Sequence, residues 1–314
     1  MGGGGPPLAG PAAAGRVPAA RAVPAAGRVP AAGGPAVDVD RAALAAAHPS
    51  TDVAGATLVD TGGDHAVLDT GDWVFRVPRR PEAAAVLRVE RRLLALLAPR
   101  LPVPVPVPEL SLHALPDGTP YGLYPRLPGE PATCDDCPAL APDVAALLTA
   151  LHAVEPADAL VLGLAAPGSV DLGVLADRAA AEVVPLLPWG SVAALRRAFA
   201  VLREPPPVEV VVHGDLGEAN LLVAGGRLAG VVDWSDAHVG DPAVDLSWFV
   251  QCLGPDGARA ALAAYRPPCD AAPLWECAVA HATVQPVHAV LYGLDHGLES
   301  YVRRQLARLA APSY

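Results

Sequence analysis

Lysine is absent from this 314-residue chain, and all 22 of its basic side chains are arginines. Any site that requires a permanent positive charge must therefore use a guanidinium group. The 33 acidic residues leave a net charge of −11, and no stretch of the sequence builds a basic face. We therefore expect no nucleic-acid partner. The acidic balance suits a cationic substrate, although the same charge also simply keeps a protein in solution.

The sequence also lacks a long apolar run and an even number of cysteines. No segment outside the Pro- and Gly-interrupted regions approaches about eighteen apolar residues without a charge, so we expect neither a transmembrane helix nor a membrane partner. The five cysteines are an odd number in a long chain without a recognisable signal peptide. This pattern favours reduced thiols and a cytoplasmic location.

Two of the cysteines, Cys134 and Cys137, form a C-x-x-C pair. A zinc site needs a second pair of ligands, and neither Cys252 nor the Cys269/Cys277 pair has a convincing spacing for that role. We therefore interpret the C-x-x-C pair as part of a surface loop rather than as a metal site.

The first 37 residues contain no acid and consist mainly of Gly, Pro, Ala, Val and Arg, with Val-Pro-Ala-Ala repeated every six residues. Proline at this density blocks both helix and sheet, and the segment has little apolar bulk to bury. We expect residues 1–37 to form a disordered tail. A transit peptide would contain serines, and this segment has none.

Beyond the tail, the pattern predicts a small antiparallel sheet followed by a mainly helical region. Asp40 is expected to cap a short helix between residues 37 and 48. The predicted strands span residues 57–60, 66–69, 73–77 and 121–126. The predicted helix spans residues 81–97, with a buried stripe of Val86, Val89, Leu93 and Leu97. Since the region beyond residue 141 is mostly helical apart from one hairpin, the fold class is α+β.

An acid, an amide and a second acid, Asp215, Asn220 and Asp233, occur in an order that suits phosphoryl transfer. A hairpin signal at Gly225-Gly226 lies between the last two. A hairpin centred there places residue 220 opposite residue 231, so Asp233 lies roughly 7 Å further along the strand. Asn220 and Asp233 are then placed to share one magnesium ion. Each of the three residues alone is more often a turn or cap residue.

The segments around these residues resemble the aminoglycoside phosphotransferase family, and the macrolide phosphotransferases are its closest-looking branch. The similar segments are residues 213–223, 230–234 and 240–246. The resemblance implies a two-lobed fold like that of protein kinases, a magnesium-dependent reaction with ATP or GTP, and an antibiotic hydroxyl as the phosphate acceptor. It implies a nucleotide-binding N-lobe at residues 38–128 and a catalytic and substrate-binding C-lobe at residues 129–314. We expect the protein to be a monomer.

The resemblance assigns several residues to the nucleotide. Arg76 takes the place of the family's phosphate-anchoring base, which is normally a lysine, and Glu90 takes the place of the acid that orients this base. Gly62-Gly63 is the candidate loop that covers the phosphates with its backbone N–H groups, although a plain turn explains it equally well. Tyr124 and Leu127 bound the expected inter-lobe hinge, whose backbone would bind the adenine edge.

Five residues receive roles around the reacting hydroxyl. Asp215 is the candidate general base, and Asn220 and Asp233 are the candidate magnesium ligands. His213 is expected to pack and orient the loop rather than to move protons. By the same resemblance, Asp245 lies at a helix start and supports the loop by hydrogen-bonding its backbone.

The acceptor is expected to lie near Asp236 and His238, although Asp236 is equally plausible as a cap. Two helices predicted between residues 274 and 309 would wall the acceptor pocket. Acids are sparse in that stretch, and they comprise Glu276, Asp295 and Glu299. An apolar wall with few acids favours a macrolide over an aminoglycoside.

Three other functions stay open at this point. One is a metabolic kinase of the same fold that acts on a choline-like or sugar acceptor. The second is a non-catalytic pseudokinase that serves as an interaction module, which the missing lysine would suit. The third is a metal-dependent hydrolase with His213, Asp215, Asp233 and His238 around two metal ions, which would leave Asn220 without a role.

Overall fold

An antiparallel five-stranded sheet forms the N-terminal part of this computed structural model, which describes residues 39–59, 65–109, 112–165 and 172–310. Its strands are β1 (Thr57–Val59), β2 (His65–Asp69), β3 (Trp73–Pro78), β4 (His113–Ala114) and β5 (Pro120–Pro125). They lie in the order β1-β2-β3-β5-β4. The proposed tail and the Gly62-Gly63 pair lie outside the described residues.

Helix α1 (Arg41–Ala47) precedes the sheet and begins at the predicted cap, because the Asp40 carboxylate accepts a hydrogen bond from the Ala43 N–H at 2.8 Å. In β3, side chains alternate between the two faces of the sheet. Phe75 and Val77 are buried in the core that α1 covers. Arg76 therefore projects from the opposite face of the sheet.

Helix α2 (Pro81–Leu97) has the predicted bounds, but the predicted buried stripe is partly wrong. Leu87 and Glu90 are buried, whereas Val86 and Val89 are only half-buried. The helix turns this face inward because Glu90 has partners there, which a pattern of apolar residues does not reveal.

The C-terminal part of the described chain is mainly helical. Its helices are α3 (Cys137–Leu151), α4 (Pro156–Val161), α5 (Leu172–Arg178), α6 (Trp189–Leu202), α7 (Ala243–Leu262), α8 (Ala271–Asp295) and α9 (Glu299–Ala310). The largest hydrophobic core joins α2, α3 and α7. A sheet followed by helices confirms the predicted α+β class. None of the helices in the described ranges combines the length and the apolar character that a membrane crossing requires.

Five short strands interrupt the helices and carry the loops of interest. They are β6 (Glu130–Pro131), β7 (Val210–Val212), β8 (Leu221–Ala224), β9 (Arg227–Val231) and β10 (His238–Gly240). Strand β8 pairs with both β6 and β9, and β7 pairs with β10. The β7–β10 pair brings the loop after β7 beside the start of β10.

The β8–β9 hairpin turns at Gly225-Gly226 as predicted, but the predicted register is wrong by one residue. Leu221, rather than Asn220, lies opposite Val231, because the pairing shifts between Leu222 and Val223. Asn220 instead ends a short 3-10 turn just before β8.

The C-x-x-C pair is only partly a surface loop. Cys134 is exposed in a turn, whereas Cys137 is the first residue of α3 and is completely buried. The surface-loop interpretation is therefore wrong for Cys137, because the first turn of α3 directs its side chain into the core.

Candidate active site

His213 follows β7 and holds the loop that carries Asp215. It is completely buried, and its ring centroid lies 4.6 Å from that of Trp234. Its Nε2 is 3.1 Å from the Val232 carbonyl oxygen, and its Nδ1 accepts a hydrogen bond from the Asp215 N–H at 3.3 Å. These partners assign the neutral tautomer with the proton on Nε2. Burial lowers the pKa of His213, which also favours the neutral ring.

Asp245, in the first turn of α7, binds the backbone of the same loop. Its carboxylate accepts hydrogen bonds from the His213 N–H at 2.9 Å and from the Gly214 N–H at 3.0 Å. The Nε2 of His152 lies 3.2 Å from the same carboxylate. Burial opposes the ionisation of Asp245, but the bond from His152 and the loop N–H groups outweigh it and lower its pKa. A buried carboxylate thus fixes the backbone at residues 213 and 214.

Asp215 and Asn220 are in direct contact. Nδ2 of Asn220 donates to the backbone oxygen of Asp215 at 2.8 Å and lies 3.3 Å from the carboxylate Oδ2. The backbone oxygen of Asn220 accepts a hydrogen bond from the Val232 N–H at 3.0 Å. Since Val232 directly precedes Asp233, the 3-10 turn and the end of the hairpin bring the acid, the amide and the second acid into one region.

Gly214 allows this loop to approach the segment before β10. Its φ of +84° is accessible to glycine at little cost. A Cβ at this position would also collide with the Asp236 carbonyl oxygen, and it would lie 3.1 Å from Nδ1 of His238. Nδ1 of His238 is itself 2.8 Å from the Asp236 carbonyl oxygen. The structure therefore places Asp236 and His238 directly beside the loop of Asp215.

Arg76 links the N-terminal sheet to the end of the hairpin. Its Nη2 donates to Oδ1 of Asp233 at 2.9 Å and to the Ser235 hydroxyl at 2.8 Å. Its Nη1 donates to Oε1 of Glu90 at 2.7 Å. Only 11% of the Arg76 side chain is exposed, so this fork of bonds is largely shielded from water.

Glu90 is the acceptor at which three separate segments meet. Besides Arg76, it accepts hydrogen bonds from the Tyr124 hydroxyl at 3.1 Å and from the Trp234 N–H at 3.2 Å. One buried carboxylate on α2 thereby binds a strand of the N-terminal sheet and the backbone that follows Asp233. This contact fixes how the sheet sits on the C-terminal region.

The electrostatics of this cluster favour a charged Asp233. Half of its side chain is exposed. Burial of the other half opposes ionisation of the carboxyl group. The attraction of the Arg76 guanidinium is stronger than this effect of burial, so the pKa of Asp233 is lowered. Burial raises the pKa of Glu90, and Arg76 opposes that rise. Burial, reinforced by Arg76, lowers the pKa of His65 to about 3, so the ring facing the guanidinium is neutral.

The backbone of Asp233 is strained. Among the described residues it is the one non-glycine residue with a positive φ, at 61°. The left-handed region costs an L-residue roughly 1–2 kcal/mol, although aspartate tolerates it better than most residues. The Trp234 N–H bond to Glu90 and the Arg76 bond to Asp233 hold the chain in this conformation. Strain maintained by surrounding contacts is typical of functional sites.

The predicted hinge residues lie in β5 and in the segment that follows it. Tyr124 belongs to β5, and its ring is buried 5.7 Å from the Arg76 guanidinium carbon. Leu127 follows the strand and packs against Gly230 of β9. A Cβ added at Gly230 would lie 2.7 Å from Cδ1 of Leu127. Tyr124 thus has a contact with Glu90 that the sequence does not indicate. The Gly62-Gly63 loop is outside the described residues.

Sequence reasoning missed several members of the cluster. His65 lies with its Nδ1 3.4 Å from Nη2 of Arg76, and Ser235 accepts a bond from the same nitrogen. His152 supports Asp245 from α3 and is in turn 2.8 Å from the Tyr265 hydroxyl. The proximity of His65 to Arg76 could have been predicted from the sequence. In the antiparallel β2–β3 hairpin, His65 lies opposite Pro78, which is two residues from Arg76. The contacts of His152 and Tyr265 could not have been predicted, since only the helix packing brings them to Asp245.

The fold and the site together define a kinase-like phosphotransferase. Residues 64–277, more than half of the chain, match the model of the phosphotransferase enzyme family APH. The chain belongs to this family, which confirms the resemblance seen in the sequence.

Individual relatives agree with this assignment. Viomycin phosphotransferase from Streptomyces vinaceus is 32% identical over 196 residues, which are 59% of this chain and 67% of the relative. The macrolide 2'-phosphotransferase MphH from Brachybacterium faecium is 31% identical, with a TM-score of 0.62 over 86% of this chain and 96% of MphH. The GDP and kanamycin complex of APH(2")-IIia is 22% identical and shows the same fold, with a TM-score of 0.73 over 85% of this chain and 96% of the other.

Proposed function

We propose that the protein transfers the γ-phosphate of ATP or GTP to a hydroxyl of an antibiotic-like acceptor in a magnesium-dependent reaction. The observation that carries the proposal is the convergence of Arg76, Asp215, Asn220 and Asp233, which come from the N-terminal sheet, the loop after β7 and the end of the β8–β9 hairpin. Phosphoryl transfer depends mainly on positioning and charge stabilisation, and these residue types supply both.

Asp215 is the proposed general base. The acceptor oxygen attacks the γ-phosphorus, its proton passes to the Asp215 carboxylate, and the bond to the β-phosphate oxygen breaks to release ADP or GDP. The contacts that support this role position the loop. Nδ1 of His213 accepts a hydrogen bond from the Asp215 N–H, and the Asn220 amide donates to the Asp215 carbonyl oxygen and lies 3.3 Å from its carboxylate.

Asn220 and Asp233 are the proposed magnesium ligands. The amide nitrogen of Asn220 faces Asp215, which leaves its Oδ1 for a cation, and Asp233 carries an ionised, half-exposed carboxylate. Such oxygen ligands suit a hard divalent ion. Magnesium bound there would neutralise charge on the nucleotide phosphates.

Arg76 is proposed to contact the nucleotide phosphates in place of a lysine. Glu90 orients it, and a guanidinium can bind a phosphate through two parallel bonds. The full set of Asp215, Asn220 and Asp233 favours an active kinase over a pseudokinase, because a retired site has no physical need for all three. Gly62-Gly63 is proposed to cover the phosphates, and the backbone between Tyr124 and Leu127 to bind the base.

We propose that the segment before residue 129 binds the nucleotide and that the rest carries the catalytic and acceptor sites. The acids that an aminoglycoside would need are not gathered along α8 and α9. Glu276 and Glu299 are exposed, and Asp295 is paired with Arg178 at 2.8 Å. This distribution, with Asp236 and His238 beside the loop of Asp215, favours a large and partly apolar acceptor such as a macrolide. The relatives' names add viomycin to the candidates.

The hydrolase alternative loses one of its four ligands. His213 is buried and uses both ring nitrogens within the protein, so it cannot bind a metal ion without breaking the loop. The metabolic-kinase alternative differs from the proposal only in the acceptor and is separated from it by experiment.

The test is phosphate transfer by the purified full-length chain from ATP or GTP with magnesium. The acceptors are a macrolide, an aminoglycoside, viomycin and choline. We expect transfer to an antibiotic, with the macrolide preferred over the aminoglycoside, and loss of transfer in excess chelator. Transfer to choline alone would establish the metabolic alternative, and nucleotide binding without transfer to any acceptor would support the pseudokinase.

A further inference from the structure

Three cysteines and a glutamate from three segments meet beside the loop of Asp215. Cys134 lies in the turn before α3, Cys137 is the first residue of α3, Cys252 lies in α7, and Glu218 begins the 3-10 turn that ends at Asn220. The sequence gives no sign of this grouping, because Cys252 is brought in by the packing of α7 on α3. These four residues form the Cys3Glu cluster.

The sulfur and oxygen atoms of the cluster are close together. Sγ of Cys252 is 3.2 Å from Oε1 of Glu218, and Sγ of Cys134 is 3.6 Å from the same oxygen. The ligand atoms of Cys137, Glu218 and Cys252 all lie within 4.8 Å of one another. These three atoms surround a small common volume, and Cys134 lies beside it through its contact with Glu218.

The two sulfur–oxygen separations are close to an edge of a tetrahedral zinc site. Zinc binds sulfur at about 2.3 Å and carboxylate oxygen at about 2.1 Å, and tetrahedral angles then place sulfur and oxygen about 3.6 Å apart and two sulfurs about 3.8 Å apart. The two sulfur–oxygen distances of the cluster lie at and slightly below the first value. We propose that Cys137, Cys252 and Glu218 bind one Zn²⁺ ion and that Cys134, whose thiol contacts Glu218, supplies the fourth ligand.

The ligand types decide which metal fits. Three thiolates and one carboxylate favour a soft or borderline ion over magnesium or calcium, which prefer oxygen alone. The site is therefore chemically distinct from the oxygen ligands Asn220 and Asp233.

Without a metal, the thiols of Cys252 and Cys134 keep their protons. The hydrogen bond with Cys137, burial and the neighbouring Glu218 raise the pKa of the Cys252 thiol, and burial and Glu218 raise the pKa of the Cys134 thiol. A divalent cation stabilises the thiolates instead, so zinc binding releases protons and weakens as the pH falls.

Zinc at this position would connect the loop of Asp215 to two helices of the C-terminal region. Glu218 lies three residues after Asp215 and two before Asn220, and its turn carries Asn220 toward Val232. The ion would anchor that turn to α3 and α7. This role is structural and independent of the acceptor, so the proposal stands or fails separately from the proposed function.

The test is the metal content of the full-length chain, purified without an affinity tag that binds metals and without chelator. We expect one Zn²⁺ per chain by elemental analysis. Replacement of zinc by Co²⁺ is expected to give the visible absorption of a tetrahedral ion and the near-ultraviolet absorption of cobalt bound to thiolates. The variants Cys134→Ser and Cys252→Ser should lose the zinc and both absorptions.

The matched controls are Cys269→Ser and Cys277→Ser, which remove cysteines outside the cluster and should keep the metal. Cys134 is exposed, so its variant reports on the site even where Cys252→Ser folds poorly. A wild-type chain that carries no zinc and gives no cobalt absorption overturns the proposal. A non-reducing mass and thiol count that reveal a Cys137–Cys252 disulfide overturn it as well and establish a redox pair in its place.

Discussion

Arg76 and Asp233, which are 157 residues apart in the chain, are joined by a hydrogen bond of 2.9 Å between Nη2 and Oδ1. The same guanidinium binds Glu90 through Nη1 at 2.7 Å. Because α2, the N-terminal sheet and the end of the β8–β9 hairpin all depend on this one side chain, it governs both stability and the position of a proposed magnesium ligand.

Replacing Arg76 by methionine should lower the free energy of unfolding by about 3–5 kcal/mol, because Glu90 is left buried without its charged partner. The double variant with Glu90→Gln should recover part of that loss. Urea denaturation measures both. The control is Arg100→Met, whose side chain is 44% exposed, and it should cost less than about 1 kcal/mol. Equal losses at positions 76 and 100 would contradict the account.

The lysine variant Arg76→Lys separates charge from geometry. A single ammonium keeps the charge but cannot reproduce the fork that reaches Glu90, Asp233 and Ser235 together. We expect a stability loss smaller than that of Arg76→Met and a raised KM for the nucleotide. An unchanged KM would show that the fork has no part in nucleotide binding.

Gly214→Ala should destabilise the protein by about 3 kcal/mol, because it combines a left-handed backbone with a collision at the Asp236 carbonyl. Gly118→Ala is a matched control. Its φ of +87° is almost the same as the +84° of Gly214, but its added Cβ has open space. It should cost about 1–2 kcal/mol from backbone strain alone. Thermal or urea unfolding gives both values, and equal costs would rule out the close approach.

Asp245→Asn should cost about 3 kcal/mol of stability and reduce transfer activity. The amide cannot accept bonds from His213, Gly214 and His152 as the ionised carboxylate does. Asp256→Asn, an exposed acid in the same helix, is the control and should behave like the wild type. Full stability in Asp245→Asn would mean that the loop backbone does not depend on this carboxylate.

Stability should fall as the pH drops below about 6.5. The folded protein keeps His65 neutral down to a pKa of about 3, whereas the unfolded chain binds a proton near pH 6.5. The unfolded state therefore binds more protons between these values, so His65 contributes up to about 1.4 kcal/mol per pH unit. Urea titrations at pH 7 and pH 5 should show a shallower slope for His65→Leu than for the exposed control His296→Gln. Parallel slopes would contradict this.

The sequence predicts the scaffold well wherever local chemistry dominates. Pro81 at a helix start, Asp40 as a cap and Gly225-Gly226 as a two-residue turn each act through the backbone around them, and the structure has all three. The predicted register of the hairpin was wrong because the pairing shifts by one residue after Leu222.

Most contacts between distant segments were beyond sequence reasoning, and the Arg76–Glu90 contact was expected only from the family resemblance. Glu90 appears as a helix charge among arginines, and only the assembled fold shows the Tyr124 and Trp234 donors around it. The pattern likewise gave Cys252 no partner, because the packing of α7 on α3 is set by the whole hydrophobic core. Motif spacing located Asp215 and Asn220, since both lie in one loop.

The most direct test of the central claim is the rate of γ-phosphate transfer by Asp215→Asn in a single turnover with saturating nucleotide and acceptor. The exposed turn variant Asp117→Asn serves as the matched control. With Asp215 as the base, the rate should fall by about 10²–10⁴-fold in Asp215→Asn while nucleotide binding is retained, and Asp117→Asn should match the wild type. Equal rates in Asp215→Asn and the wild type would contradict the account.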